Sequence, residues 1–186
     1  MGVVLSCRTP GGAPWRAHLR ARAGQLQRAL GLDGCELSVT LVDDAAMRVL
    51  NRTYRGVDRT TDVLAFPLHE EADGGEARGV CARDGLAARL AGGVPAARLL
   101  GDVVISIDTA AAQARACHER LAARLDALLI HGVLHLLGYD HEVSTAEARR
   151  MARRARTLRT VLADEPSAVR RRGVRTRQAA RSRIAR

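Results

Sequence analysis

Lysine is absent from this chain: all thirty of its Lys/Arg charges are arginine, a bias that reflects genome composition more than chemistry. Aromatic rings are scarce, one Trp, two Tyr and one Phe. Packing is therefore the first use expected of Tyr54 and Tyr139, ahead of stacking on a base. No run of 18 apolar residues occurs, which argues against a membrane-spanning helix. The start "MGVVLSCRTPGG" lacks the basic-then-apolar order of a secretory signal. A cytoplasmic protein with no membrane role is expected. The cysteines, Cys7, Cys35, Cys81 and Cys117, form no C-x-x-C pair and read as reduced, ordinary small residues rather than a disulfide frame.

Positive charge is abundant and uneven. Residues 166–186 hold eight arginines and no acid; the thirty less these eight leave 22 arginines against 20 acids in residues 1–165. The body is nearly neutral and the end is a cation. One folded domain over 1–165 is implied, followed by an arginine-rich, disordered tail over 166–186 that contacts nucleic acid nonspecifically.

Hydrophobic periodicity supplies the elements. Val3–Cys7 reads as a strand, Pro14 to Leu30 as a helix closed by Gly31, and 35–42 as a half-buried strand. The next helix is capped by Asp43 or Asp44, turns Met47 and Leu50 inward and stops at Gly56. Strands follow at 61–68 and 99–107, joined by a long connector that reads as a surface loop, with "LAARLAG" able to form a helical turn. Asp108 is placed as the cap of a helix running to about His118. A second helix spans Leu121 to Leu137, and a third, Ser144 to Leu162, opens with the capping-box spacing Ser144 to Glu147. This order predicts a single α+β domain with a mixed four-stranded sheet packed against helices.

The chemistry concentrates in "HGVLHLLGYDH", residues 131–141. Residues four apart on a helix lie about 40° apart around its axis and ~6 Å along it, so His131 and His135 project side by side. Gly138 permits a left-handed residue that swings the chain back, letting His141 approach from outside the helix. Three imidazoles can hold one ion at about 2.0–2.1 Å and leave a fourth position free. Ligand softness favours Zn²⁺, without excluding Ni²⁺ or Fe²⁺. His18, His69 and His118 read as ordinary histidines.

Metzincin proteases share this three-histidine spacing but place a glutamate general base after the first histidine. Here Gly132 stands there, and glycine cannot take a proton. The metal helix is zincin-like, yet a zinc peptidase is only the lesser alternative.

The segment "HGVLHLLGYDH" resembles the signature of the YbeY family, zinc-dependent endoribonucleases of rRNA maturation. "LNRTYRGVDRTTDVLAFP", 50–67, and "LGDVVIS", 100–106, match the same family in the same order. The resemblance covers about residues 35–160. It implies one zinc ion on His131, His135 and His141, and Arg55 as the catalytic arginine across the cleft. It also implies cleavage of single-stranded rRNA or its precursors, at the small-subunit rRNA 3′ end and in ribosome quality control, alongside the small ribosomal subunit and its assembly factors. An assembly factor with a structural metal is the main alternative. A guanidinium suits Arg55's role independently, because it matches phosphate oxygens with two parallel hydrogen bonds.

The chain departs from the family pattern at Thr60, where proline is usual, and at Ala65, where a small hydroxyl residue is usual. Asp140 and Glu142, beside the last histidine, can either orient an imidazole or end the helix in solvent. For Asp62 and Asp102, at strand starts, capping or partner contact is as fitting as catalysis.

Overall fold

The computed structural model describes residues 2–68 and 99–164; the connector and the arginine tail lie outside these residues, as do His69 and Cys81. Strands β1 (Val3–Cys7), β2 (Glu36–Val42), β3 (Val63–Pro67) and β4 (Leu99–Ser106) form one sheet in the order β1-β2-β4-β3. The first three in that order run parallel, and β3 lies antiparallel against β4. This is the expected mixed sheet.

Alternation along β2 explains its place. Leu37, Val39 and Leu41 are fully buried while Ser38 and Thr40 are half-buried on the other face. On the first face the core also gathers Val103 and Ile105 of β4 with three helices: α1 (Arg16–Ala29), α4 (Leu121–Leu136) and α5 (Thr145–Asp164). The opposite face is covered by α2 (Asp44–Arg55), whose fully buried Met47 meets Val42, Leu64 and Val104, with Leu50 half-buried beside them. Helix α3 (Ile107–Ala116) adds Ile107 and Ala110 to the main core.

Helix termini follow local chemistry, with two corrections. Asp43 caps α2, accepting the Ala46 N–H at 2.8 Å, and Gly56 ends it at φ 69°. Ser144 Oγ accepts the Glu147 N–H at 3.2 Å at the start of α5. Asp108, however, does not cap α3. Strand β4 runs directly into the helix, so its last residue, Ser106, accepts the Thr109 N–H, and Asp108 sits in the first turn, accepting the Asp44 N–H at 3.1 Å. That helix ends at Ala116; His118, at φ 53°, takes the left-handed position after it. The helix expected from Pro14 begins as a 3₁₀ turn over Pro10–Trp15, and α1 starts only at Arg16.

A β-bulge fixes the sheet beside the histidine helix. Glu36 pairs with Leu99 and Leu37 with Gly101, leaving Leu100 as the extra residue. Gly101 adopts φ 136°, and a Cβ there would overlap the Phe66 carbonyl oxygen and press on Leu136 of α4. Among the described residues no helix is long and apolar enough to cross a membrane.

Candidate metal centre

Helix α4 is buried along Leu125, Leu128, Leu129, Val133 and Leu136, which leaves His131 and His135 half-exposed on its remaining face. The helix ends in a double hydrogen bond: Gly138 N–H to the His135 carbonyl at 2.9 Å and Tyr139 N–H to the Leu134 carbonyl at 3.0 Å, with Gly138 at φ 82°. This Schellman turn needs the left-handed glycine. Tyr139 then buries itself in the core, and two residues later His141 returns toward the helix.

The three rings form a small propeller. Their centroids lie 4.6, 5.1 and 5.2 Å apart and their planes cross at 70–74°. One donor nitrogen from each lies within 4.8 Å of the other two. Nε2 of His131 and Nε2 of His135 are 3.1 Å apart, close to the roughly 3.3 Å edge of a tetrahedron with bonds of about 2.0–2.1 Å. The donor set and spacing therefore fit a divalent ion of the zinc class.

Electrostatics keep two of these nitrogens unprotonated. Burial, then the neighbouring His135 and His141, lowers the pKa of His131 from 6.5 to about 4, with Asp62 opposing. Burial and His141 also lower that of His135, opposed by Asp140, Glu142 and a hydrogen bond with the Tyr139 backbone. A backbone partner of this kind orients a ligating imidazole.

Both rings hold folded-state values below the unfolded one, so the unfolded chain takes up protons first. The metal-free protein should lose stability as pH falls from 6.5 toward about 4, the His131 value. The depressed carboxylates of Asp44 and Asp58 act mainly near and below their ordinary 3.8, at the acid end of this window. The melting temperature of chelator-treated protein across the window checks this; a temperature that rises on acidification contradicts it.

Arg55, in the last turn of α2, extends one Nη to 3.5 Å from Glu142, the residue after His141. Both side chains are more than half exposed, so this is a weak, displaceable pair. Glu142 thus faces Arg55, while Asp140 accepts the Glu142 N–H at 2.8 Å. Tyr54 is exposed, its ring edge-on to Phe66 at 4.9 Å. Asp62 accepts hydrogen bonds from its neighbour Val63 N–H and from Gln113. Asp102 pairs in register with Phe66.

Sequence reading missed a hub at Asp44. Its carboxylate accepts hydrogen bonds from Ser106, from Thr109 at 2.6 Å and from Thr60 at 3.1 Å. Burial pushes its pKa up, but these hydroxyls and the Thr109 backbone hold it below the usual value. The unusual Thr60 is thereby used to tie the loop before β3 to α2. No sequence signal marks this, because the donors come from separate segments.

The family described as Endoribonuclease YbeY matches residues 15–163. The chain belongs to the YbeY endoribonuclease family. Among its YbeY relatives, that of Anaeromyxobacter dehalogenans is 44% identical over 158 residues, 85% of this chain and 70% of the relative. The Moorella thermoacetica YbeY is 43% identical over 137 residues, 72% of this chain and 80% of the relative. The solution structure of TM1509 from Thermotoga maritima shares the fold, with a TM-score of 0.53 at 22% identity over 86% of this chain and 87% of that one.

Proposed function

We propose that this YbeY-family protein is a metal-dependent endoribonuclease that cuts single-stranded rRNA precursors, with the small-subunit rRNA 3′ end as its site. In this reading His131, His135 and His141 hold one Zn²⁺, Arg55 grips the scissile phosphate, and the protein works in the cytoplasm with the small ribosomal subunit and its assembly factors. The observation that carries it is the convergence of three ring nitrogens, with Arg55 brought to the exposed carboxylate of Glu142, the residue next to His141. Bound there, zinc supplies a Lewis acid for a phosphoryl oxygen.

The protein's own residues do the rest. The half-buried rings stay neutral and fixed, ready as donors. Arg55 exchanges its weak contact with Glu142 for a phosphate, and its permanent charge opposes the negative charge that grows at the reacting phosphorus. Incubating the purified protein with single-stranded and duplex RNA, with and without chelator, tests the assignment. Cleavage confined to single strands and abolished by chelator supports it, and chelator-insensitive cleavage refutes it. Product ends identify the nucleophile: a 2′,3′-cyclic phosphate means the ribose hydroxyl, a 3′-hydroxyl means water.

Arg55→Ala should retain the metal and lose about 10- to 100-fold in kcat/KM, the worth of one charge-assisted hydrogen bond to a phosphate in a half-exposed setting. Arg55→Lys should recover part of it, since lysine keeps the charge without the bidentate fork. Wild-type cleavage by Arg55→Ala would remove Arg55 from its assigned role, whereas a wild-type protein that binds metal but cleaves no RNA would leave the assembly-factor reading in its place.

A further inference from the structure

Helix α5 begins four residues after His141 and carries six arginines, Arg149, Arg150, Arg153, Arg154, Arg156 and Arg159. Met151, Leu158 and Leu162 anchor one face of it in the core. At about 100° per residue, Arg149, Arg153 and Arg156 fall within about 40° of the line opposite that anchor, and all three are exposed. From Arg149 to Arg159 the helix rises about 15 Å.

Four arginines elsewhere are held by carboxylates. Arg22 meets Asp126, Arg48 meets Asp58, Arg55 meets Glu142 and Arg124 meets Glu119. Among the described residues, no carboxylate pairs with any of the six on α5. Instead Arg149 and Arg153, and Arg150 and Arg154, stand four apart as like charges, an arrangement that destabilises a helix by itself. A face that only needed solvation would mix in acids at these positions, so the uncompensated stripe is better explained by an anion outside the molecule.

We infer that the outer face of α5 is a phosphate track, engaging the backbone of single-stranded RNA beyond the nucleotides at the metal centre. The occupant is a polyanion with charges repeated along a line, which is what a guanidinium row one or two helical turns apart complements. This rests on the endoribonuclease reading for its substrate. The row itself is independent of the histidines.

The test uses the full-length, metal-loaded protein and the triple variant Arg149→Gln, Arg153→Gln, Arg156→Gln. Binding of a 30-nucleotide single-stranded RNA is followed across a salt series, together with cleavage of a trinucleotide. Removing three phosphate contacts should flatten the plot of log affinity against log salt by about 2, at roughly 0.7 per contact. The variant should cleave the trinucleotide at the wild-type rate. Because the substitutions relieve repulsion on an exposed face, its melting temperature should not fall. Unchanged affinity and an unchanged salt slope overturn the track. If the wild-type protein cleaves neither RNA yet the triple variant still loses affinity for the long one, the endoribonuclease reading fails and the track stands.

Discussion

Replacing His135 with alanine is expected to strip the divalent ion and abolish RNA cleavage without unfolding the protein. The ring stands on the last turn of α4, its Nε2 3.1 Å from that of His131, so its loss leaves two donors where a stable site needs three. Removing a residue that merely orients a ligand already costs about 10- to 100-fold in metal affinity, and losing the ligand itself should cost more. The ion's Lewis acidity is worth several kcal/mol to the reaction, so cleavage should fall at least about 10³-fold. The fold should survive, because the ring is half-exposed and alanine is the best helix former. Elemental analysis, circular dichroism and a cleavage assay on the same preparation check all three parts. Wild-type metal content in a folded His135→Ala protein would remove the ion from its assigned place.

Periodic and punctuated features were legible in the sequence. The four strands, the stop at Gly56, a cap at Asp43 or Asp44 and the box from Ser144 to Glu147 depend on residues close along the chain, so local pattern carried them. Gly138 was legible for the same reason: one left-handed residue decides where His141 goes. The illegible parts were set by contacts between distant segments. Asp108 looked like a cap because acids are good caps, but the strand-to-helix junction at Ser106 took that role first. The Asp44 hub joins α2 to Thr60, Ser106 and Thr109, and only the folded topology brings these hydroxyls together. The facing of Arg55 and Glu142 is of the same kind: each stands out in the sequence, but only the fold brings the two within 3.5 Å of each other.

Gly132→Glu, which would restore the protease-type glutamate beside the first histidine, is expected to yield a protein that does not fold rather than a peptidase. Sequence pattern shows only that the general base is missing; the structure gives the reason. A Cβ at position 132 would stand 2.6 Å from Cγ1 and 3.1 Å from Cγ2 of Val103, and 3.4 Å from Cγ2 of Val63. Val103 is fully buried on β4, between β2 and β3, and a β-branched side chain has little rotamer freedom with which to retreat. Glycine is therefore what lets α4 lie close against the sheet that supports the histidines. Even Gly132→Ala sets an overpacking cost of about 1–3 kcal/mol against a helix-propensity gain of about 1 kcal/mol, so a lowered melting temperature is expected. Glutamate adds the desolvation of a carboxylate, several kcal/mol more, and the total approaches the whole stability of a typical domain, about 5–15 kcal/mol. Expression, thermal melts and a metal-dependent proteolysis assay on both variants decide the matter. A soluble Gly132→Glu protein that melts like wild type would mean that helix and sheet are not in this contact. One that also cleaves peptides would return the site to the protease class.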